Sequence, residues 1–237
     1  KIQVTERDDV RLKVTKHATK CDADLQEAQV EINNDKAELI IETKYKSKSN
    51  PNVSVDLDLE LPRSLQLKEI TSSNGNISLI NCEGKSVVST SNGGITIKEC
   101  TGDFDLSTSN SSIFAQNIKG SLSATTSNGK ITARVISYLK SLTTSNSSIE
   151  AEVLTLPQDL SISTNNGRIE VFLPEKLNAE LLANTSNGSV KLKGVEVGTI
   201  DLGKTNLSGS LGHGGNKLRL TTSNSNIEIN SINISSQ

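Results

Sequence analysis

From about residue 70 onward, short runs of alternating apolar and polar residues return at a fixed phase. Ile95 and Ile97 open one run, Ile113 and Ala115 the next, and Ile131 and Ala133 the one after. Alternation with a period of two marks a strand that turns one face inward. A second run follows in each unit. Phe104 and Leu106 stand where Leu122 and Ala124 stand 18 residues later, with Val88 and Leu142 at the second of these positions. Each unit therefore predicts two short strands.

The punctuation between runs is equally regular. Asn74, Asn92, Asn110, Asn128 and Asn146 each follow the last by 18 residues, and Asn166, Asn187, Asn206 and Asn224 continue at steps of 20, 21, 19 and 18. The text around most of them is Thr-Ser-Asn-(Gly or Ser)-x-Ile, as in Thr90 to Ile95 and Thr108 to Ile113. Asn and Gly tolerate a left-handed backbone, so each of these sites predicts a tight corner. Gly84, Gly102 and Gly120 recur at a second position, as a second corner requires.

Parallel stacking of equivalent strands makes this phase equivalence a packing requirement, because like residues then lie about 4.8 Å apart in columns. A meander of antiparallel hairpins gives no reason for it. The left-handed hexapeptide helix is disfavoured because apolar positions do not recur every six residues. The prediction is an all-β chain, a single-stranded parallel β-helix or β-solenoid, right-handed, with nine turns of about 18 residues. Its core is a stack of Ile, Leu and Cys rungs, continuous over 71–237.

Residues 1–70 read as a β-rich N-terminal cap with irregular first turns. Val55, Leu57, Leu59 and Leu61 alternate there with Asp56, Asp58 and Glu60, and Asp22 to Ala28 is expected as a short helix. A cap covers an open stack edge that would otherwise recruit other strands.

Composition narrows the function. A formal charge of −2 from 25 basic and 27 acidic residues leaves no electrostatic footprint for nucleic acid and no polybasic patch for anionic lipid. A 33% apolar fraction with 2% aromatics fits a thin aliphatic core. No apolar run approaches the roughly 20 residues that span a bilayer as a helix. A chain that opens at Lys1 and contains no Met is expected to lack its natural start, leaving room for a removed signal or anchor.

The segment from Val53 through Leu61-Pro62 to Thr71-Ser72-Ser73-Asn74-Gly75-Asn76-Ile77, with the Thr-Ser-Asn-Gly turns after it, resembles the putative-adhesin family of bacterial and archaeal β-solenoid domains of unknown function. The resemblance covers most of the chain. It implies a parallel β-helix and an extracytoplasmic or cell-surface role, and it offers no catalytic residues to carry over.

The candidate chemistry is sparse. Gly198 to Thr205 satisfies the P-loop expression GxxxxGK(S/T), but a phosphate loop needs a helix after it, and Asn206-Leu207-Ser208-Gly209 does not start one. The corner residues Asn74, Asn92, Asn110, Asn128, Asn146, Asn166, Asn187 and Asn224 read as a structural ladder whose amides bond along the stack, ahead of a ligand-binding array. Cys82 and Cys100 share a phase in adjacent turns and are expected as buried free thiols, because parallel side-chain vectors suit a disulfide poorly. Cys21 has no visible partner. Asp56, Asp58 and Glu60 read as a solvated face ahead of a calcium site. His17 and His213 lie far apart, and no nucleophile setting surrounds either. The sequons at Asn52 and Asn233 reflect composition.

No catalytic, cofactor or metal residue is therefore predicted. The leading expectation is a non-enzymatic, adhesin-like surface module that binds an unknown protein or glycan. The alternative is a polysaccharide lyase or hydrolase. It is opposed by the scarcity of aromatics and by the expectation that no acid recurs at one phase of the stack. A third reading is an ice- or mineral-binding face built on two outward columns. One is Ser89, Ser107, Thr125 and Thr143, the other Ser91, Ser109, Ser127 and Ser145.

Overall fold

A computed structural model describes residues 1–35, 38–46, 52–198 and 200–232. The chain is all-β and divides into two compact units, Lys1–Pro62 and Arg63–Gln237.

The first unit holds β1 (Ile2–Thr5), β2 (Arg11–Ala18), a 3₁₀ helix (Asp22–Glu27) where a short helix is expected, β3 (Ala28–Asn34), β4 (Leu39–Tyr45) and β5 (Val53–Pro62). β5 has β1 parallel on one side and β2 antiparallel on the other. Its alternation buries Val53 and Leu61 and sets Asp56, Asp58 and Glu60 in an outward row. β3 and β4 form a separate antiparallel hairpin.

The second unit begins with β6 (Glu69–Ser72), β7 (Ile77–Ile80) and β8 (Glu83–Thr90). Three long strands follow, β9 (Ile95–Thr108), β10 (Ile113–Thr126) and β11 (Ile131–Thr143). Shorter ones come next: β12 (Ile149–Glu152), β13 (Leu160–Ser163), β14 (Ile169–Leu173), β15 (Ala179–Thr185) and β16 (Val190–Lys193). The chain ends with β17 (Ile200–Leu202), β18 (Asn206–Leu211), β19 (Lys217–Thr222) and β20 (Ile227–Ser231). They make a large, mostly parallel sheet whose antiparallel pairings in this unit are β15 with β18 and β17 with β18.

Like residues stack in register. Ile95 pairs with Ile113, and the same column runs Ile77, Ile95, Ile113, Ile131, Ile149, Ile169, Ile227 and Val190, every member buried. Each fully buried Ile contributes about 1.5–3 kcal/mol of burial. A second buried column runs Val88, Leu106, Ala124, Leu142, Ile162, Leu220 and Ala183. Further buried columns, among them Ile97, Ala115 and Ala133, Cys100, Ile118 and Ile136, and Phe104, Leu122 and Leu139, complete the core.

The glycine corner exists because stacked backbones touch there. A Cβ on Gly102 would lie 2.0 Å from the Gly84 carbonyl oxygen, and one on Gly120 would lie 1.9 Å from that of Gly102. Just before it, Asn81, Glu99, Asn117 and Val135 form a column with φ of 55, 55, 55 and 53°. Left-handed backbone at Asn follows from its chemistry, whereas at β-branched Val135 it is strained.

The stack departs from chain order at its end. β19 lies between β13 and β15, and β20 between β14 and β16, parallel to both neighbours in each case. β19 and β20 thus form an interior rung, and β15 and β16 lie one rung farther out than their place in the chain implies. The period sets the phase of a residue within its rung, but it carries no information about which rung is the neighbour. Asn206 leaves the series altogether: it sits on β18, opposite Asn184 of antiparallel β15.

Candidate functional site

The corner asparagines form one continuous amide ladder. Asn92 donates to Asn74 at 2.7 Å, Asn110 to Asn92 at 2.7 Å, Asn128 to Asn110 at 2.9 Å, and Asn146 to Asn128 at 2.8 Å. Asn166 donates to Asn146 at 2.8 Å, Asn224 to Asn166 at 2.7 Å, and Asn187 to Asn224 at 2.8 Å. Each interior amide uses one N–H and its carbonyl along the stack, so the ladder acts as a structural spine.

Beside it runs a column that sequence reasoning missed. Thr90, Thr108, Thr126, Thr144, Thr164, Thr222 and Thr185, two residues before every ladder Asn except Asn74, are buried. Thr126 Oγ1 donates to the Ser111 carbonyl at 3.1 Å and accepts from the Gly129 amide at 3.2 Å. These hydroxyls satisfy corner groups that would otherwise be buried unpaired. The signal was the Thr of Thr-Ser-Asn, constant while the residue after Asn varies.

The outward side of the second strand row carries hydroxyls in register. Thr71, Ser89, Ser107, Thr125, Thr143, Ser163 and Thr221 form one column, exposed or half-buried throughout. Ser123, Ser141 and Ser161 lie in the column beside it. In the predicted second column, Ser91, Ser109 and Ser127 are exposed and Ser145 is half-buried.

The other strand row carries a charge ladder that the sequence reading did not foresee. Glu150, Glu170 and Glu228 stand in consecutive rungs at one phase, with Lys191 next. The expectation that no acid recurs at one phase therefore fails: Glu150 and Glu170 already share a phase in neighbouring rungs, and β20, inserting beside β14, adds Glu228 next to Glu170. Lys130 holds Glu150 at 2.7 Å and Arg134 holds it at 2.5 Å. Arg168 pairs with Glu170 and reaches Glu228 at 3.7 Å, while Lys193 holds Glu228 at 2.9 Å.

Hydrogen bonds from Lys130 and then Arg134 pull the pKa of Glu150 below the ordinary carboxylate value, and that from Lys193 does the same for Glu228. A glycoside-cleaving pair needs one carboxyl kept protonated. Held by cations from neighbouring rungs, Glu150 and Glu228 suit cross-rung bracing rather than proton donation.

The remaining candidates are placed as follows. Cys82 and Cys100 are buried thiols, and the Cys82 amide donates to Cys100 Sγ at 3.3 Å; Cys21 is exposed. Asp56, Asp58 and Glu60 face polar groups of β2 and the N-terminus: His17 lies 3.1 Å from Asp56, the terminal amine 3.9 Å from Asp58, and Arg11 3.9 Å from Glu60. In the P-loop match, Thr199 lies outside the described residues. Ile200–Leu202 is β17, and Gly203 turns the chain straight into β18, so strand follows where a phosphate site needs a helix. Asn233 lies outside the described residues. His213 is exposed in the loop between β18 and β19. No helix among the described residues is long and apolar enough to cross a membrane.

No known family's sequence profile matches the chain, and no curated protein matches it. Among solved structures, it is similar to the crystal structure of a putative cell adhesion protein from Clostridium sporogenes ATCC 15579. That likeness has 10% identity over 97% of this chain and 87% of the other, with a TM-score of 0.26. A likeness at that level carries no argument.

Proposed function

We propose that the described residues from 71 to 232 form a right-handed β-solenoid and that the chain is a non-enzymatic, adhesin-like binding module acting outside the cytoplasm. Parallel registers at 18-residue steps and two corners per unit support the coil, with one strand of each turn in each of the two rows. The resemblance of residues 53–77 and the turns after them supports the surface role.

The observation that carries the binding reading is the in-register hydroxyl column from Thr71 to Thr221. Seven donors and acceptors at a pitch of about 4.8 Å match an extended polar ligand, a glycan chain or a peptide strand, better than a compact small molecule. Short strands with tight corners hold this column rigid, so little ordering entropy is lost on binding.

The test is capture of envelope glycans and proteins by the purified chain, compared with a Ser107→Lys, Thr125→Lys double variant. The expected result is specific capture that the variant loses while its melting temperature stays unchanged. Capture retained by the variant, or turnover of a polysaccharide by the purified chain, would overturn the proposal. Thermal hysteresis in a concentrated solution would redirect the same column to a solid surface.

A further inference from the structure

The interior position of the final rung creates a second kind of surface. β15 to β18 all precede residues 217–231 in the chain, yet those residues fill a slot bounded by β13 and β14 on one side and by β15 and β16 on the other. Until they arrive, two strand edges face one another across roughly 9.6 Å, twice the normal strand spacing, with unpaired backbone groups on each. The filled slot is deeply integrated: Leu218, Leu220, Ile227 and Ile229 are fully buried, and Asn224 joins Asn166 to Asn187.

We propose that residues 217–231 are an exchangeable rung, and that the slot takes the same segment from a second copy of this chain. Every contact within the slot is the same whether the segment comes from its own chain or another. The loop Gly212–Asn216 alone differs between the two arrangements.

That loop is built as a hinge. β18 and β19 flank β15 on opposite sides, so five residues must straddle the start of β15. Gly212, Gly214 and Gly215 take φ of 55, 74 and 134°, the His213 amide donates to Asn178 Oδ1 at 3.0 Å, and the Gly214 amide donates to the Leu211 carbonyl at 3.0 Å. Once the segment is out of its slot, as it is while the chain folds, opening these few contacts lets the loop extend toward another copy. A short tether gives an effective concentration in the millimolar range, so a second copy competes at high protein concentration or during refolding. Reciprocal exchange closes a dimer, and one-way exchange leaves an open slot that grows a chain of copies.

The test uses the full chain under reducing conditions, so that exposed Cys21 does not cross-link copies. Refolding at high concentration followed by dilution should leave a species of twice the monomer mass by light scattering. Copies carrying two different fluorophores and refolded together should show energy transfer. Deleting Gly214 and Gly215, which stops the loop from straddling β15, should raise the dimer share roughly tenfold, and lengthening the loop with Gly-Ser residues should lower it.

Should the shortened chain fail to fold, a fluorescent peptide of residues 216–232 added while the intact full chain refolds decides the matter. Uptake of this peptide, but not of its Ile227→Asp version, is the expected result. Monomers at every concentration for both the intact and the shortened chain would overturn the proposal, as would absence of peptide uptake.

Discussion

At the scale of single residues, Asn128 shows what a repeat does to an otherwise ordinary side chain. Exposed Asn contributes little alone, but Asn128 donates to Asn110 and accepts from Asn146, so its loss breaks the ladder twice. Asn128→Ala should destabilise by about 1 kcal/mol, near the net value of exposed paired amides, and Asn74→Ala, which removes one bond at the end, by about half of that. Urea denaturation of the two variants measures the difference; equal losses would mean that the ladder carries no stability. Val135 works the other way. Its φ of 53° and 46% exposure put a β-branched residue in a left-handed site that Asn81 and Asn117 occupy in the same column. Val135→Asn should therefore stabilise by about 1 kcal/mol, read as a higher denaturation midpoint with an unchanged slope.

At the scale of strands, the ladder of Glu150, Glu170 and Glu228 ties together rungs that the backbone already pairs. Bonds to Lys130 and Arg134 and to Lys193 lower the carboxyl pKa values of Glu150 and Glu228 in the folded state. Their contribution is therefore fully present above the ordinary carboxylate value of 4.5 and is lost as pH falls below it, through the lowered folded values. Melting temperature should drop as pH falls below about 4.5, and Glu150→Gln should flatten that acid limb while leaving a smaller effect at neutral pH. Because the cations are well exposed, added salt should weaken the same contribution. An acid limb as steep in the variant as in the parent would show that these pairs brace nothing.

At the scale of the whole chain, the order of the strands in the sequence is not their order in the stack. Amides of residues 218–222 and 227–231 should exchange with solvent as slowly as those of β10, since strands flank them on both sides, whereas a peripheral C-terminal segment would fray. Hydrogen exchange measured segment by segment checks this, and rapid exchange there would remove the interior rung. What the sequence by itself determined was the phase: Ile95 over Ile113, Gly84 over Gly102, and the asparagine corners. Steric and polar demands at each of these sites are local and repeat with the chain. It also held the Thr column in plain text, unread because a buried hydroxyl looks like any other Ser or Thr until its partners are known. Only the tertiary structure decided that β19 and β20 lie inside β15 and β16, and with that the juxtaposition of Glu170 and Glu228. Rungs with the same inward pattern fit any neighbour of that pattern, so stack order is chosen by how the long connections reach and by which edges remain open, a property of the folded chain as a whole.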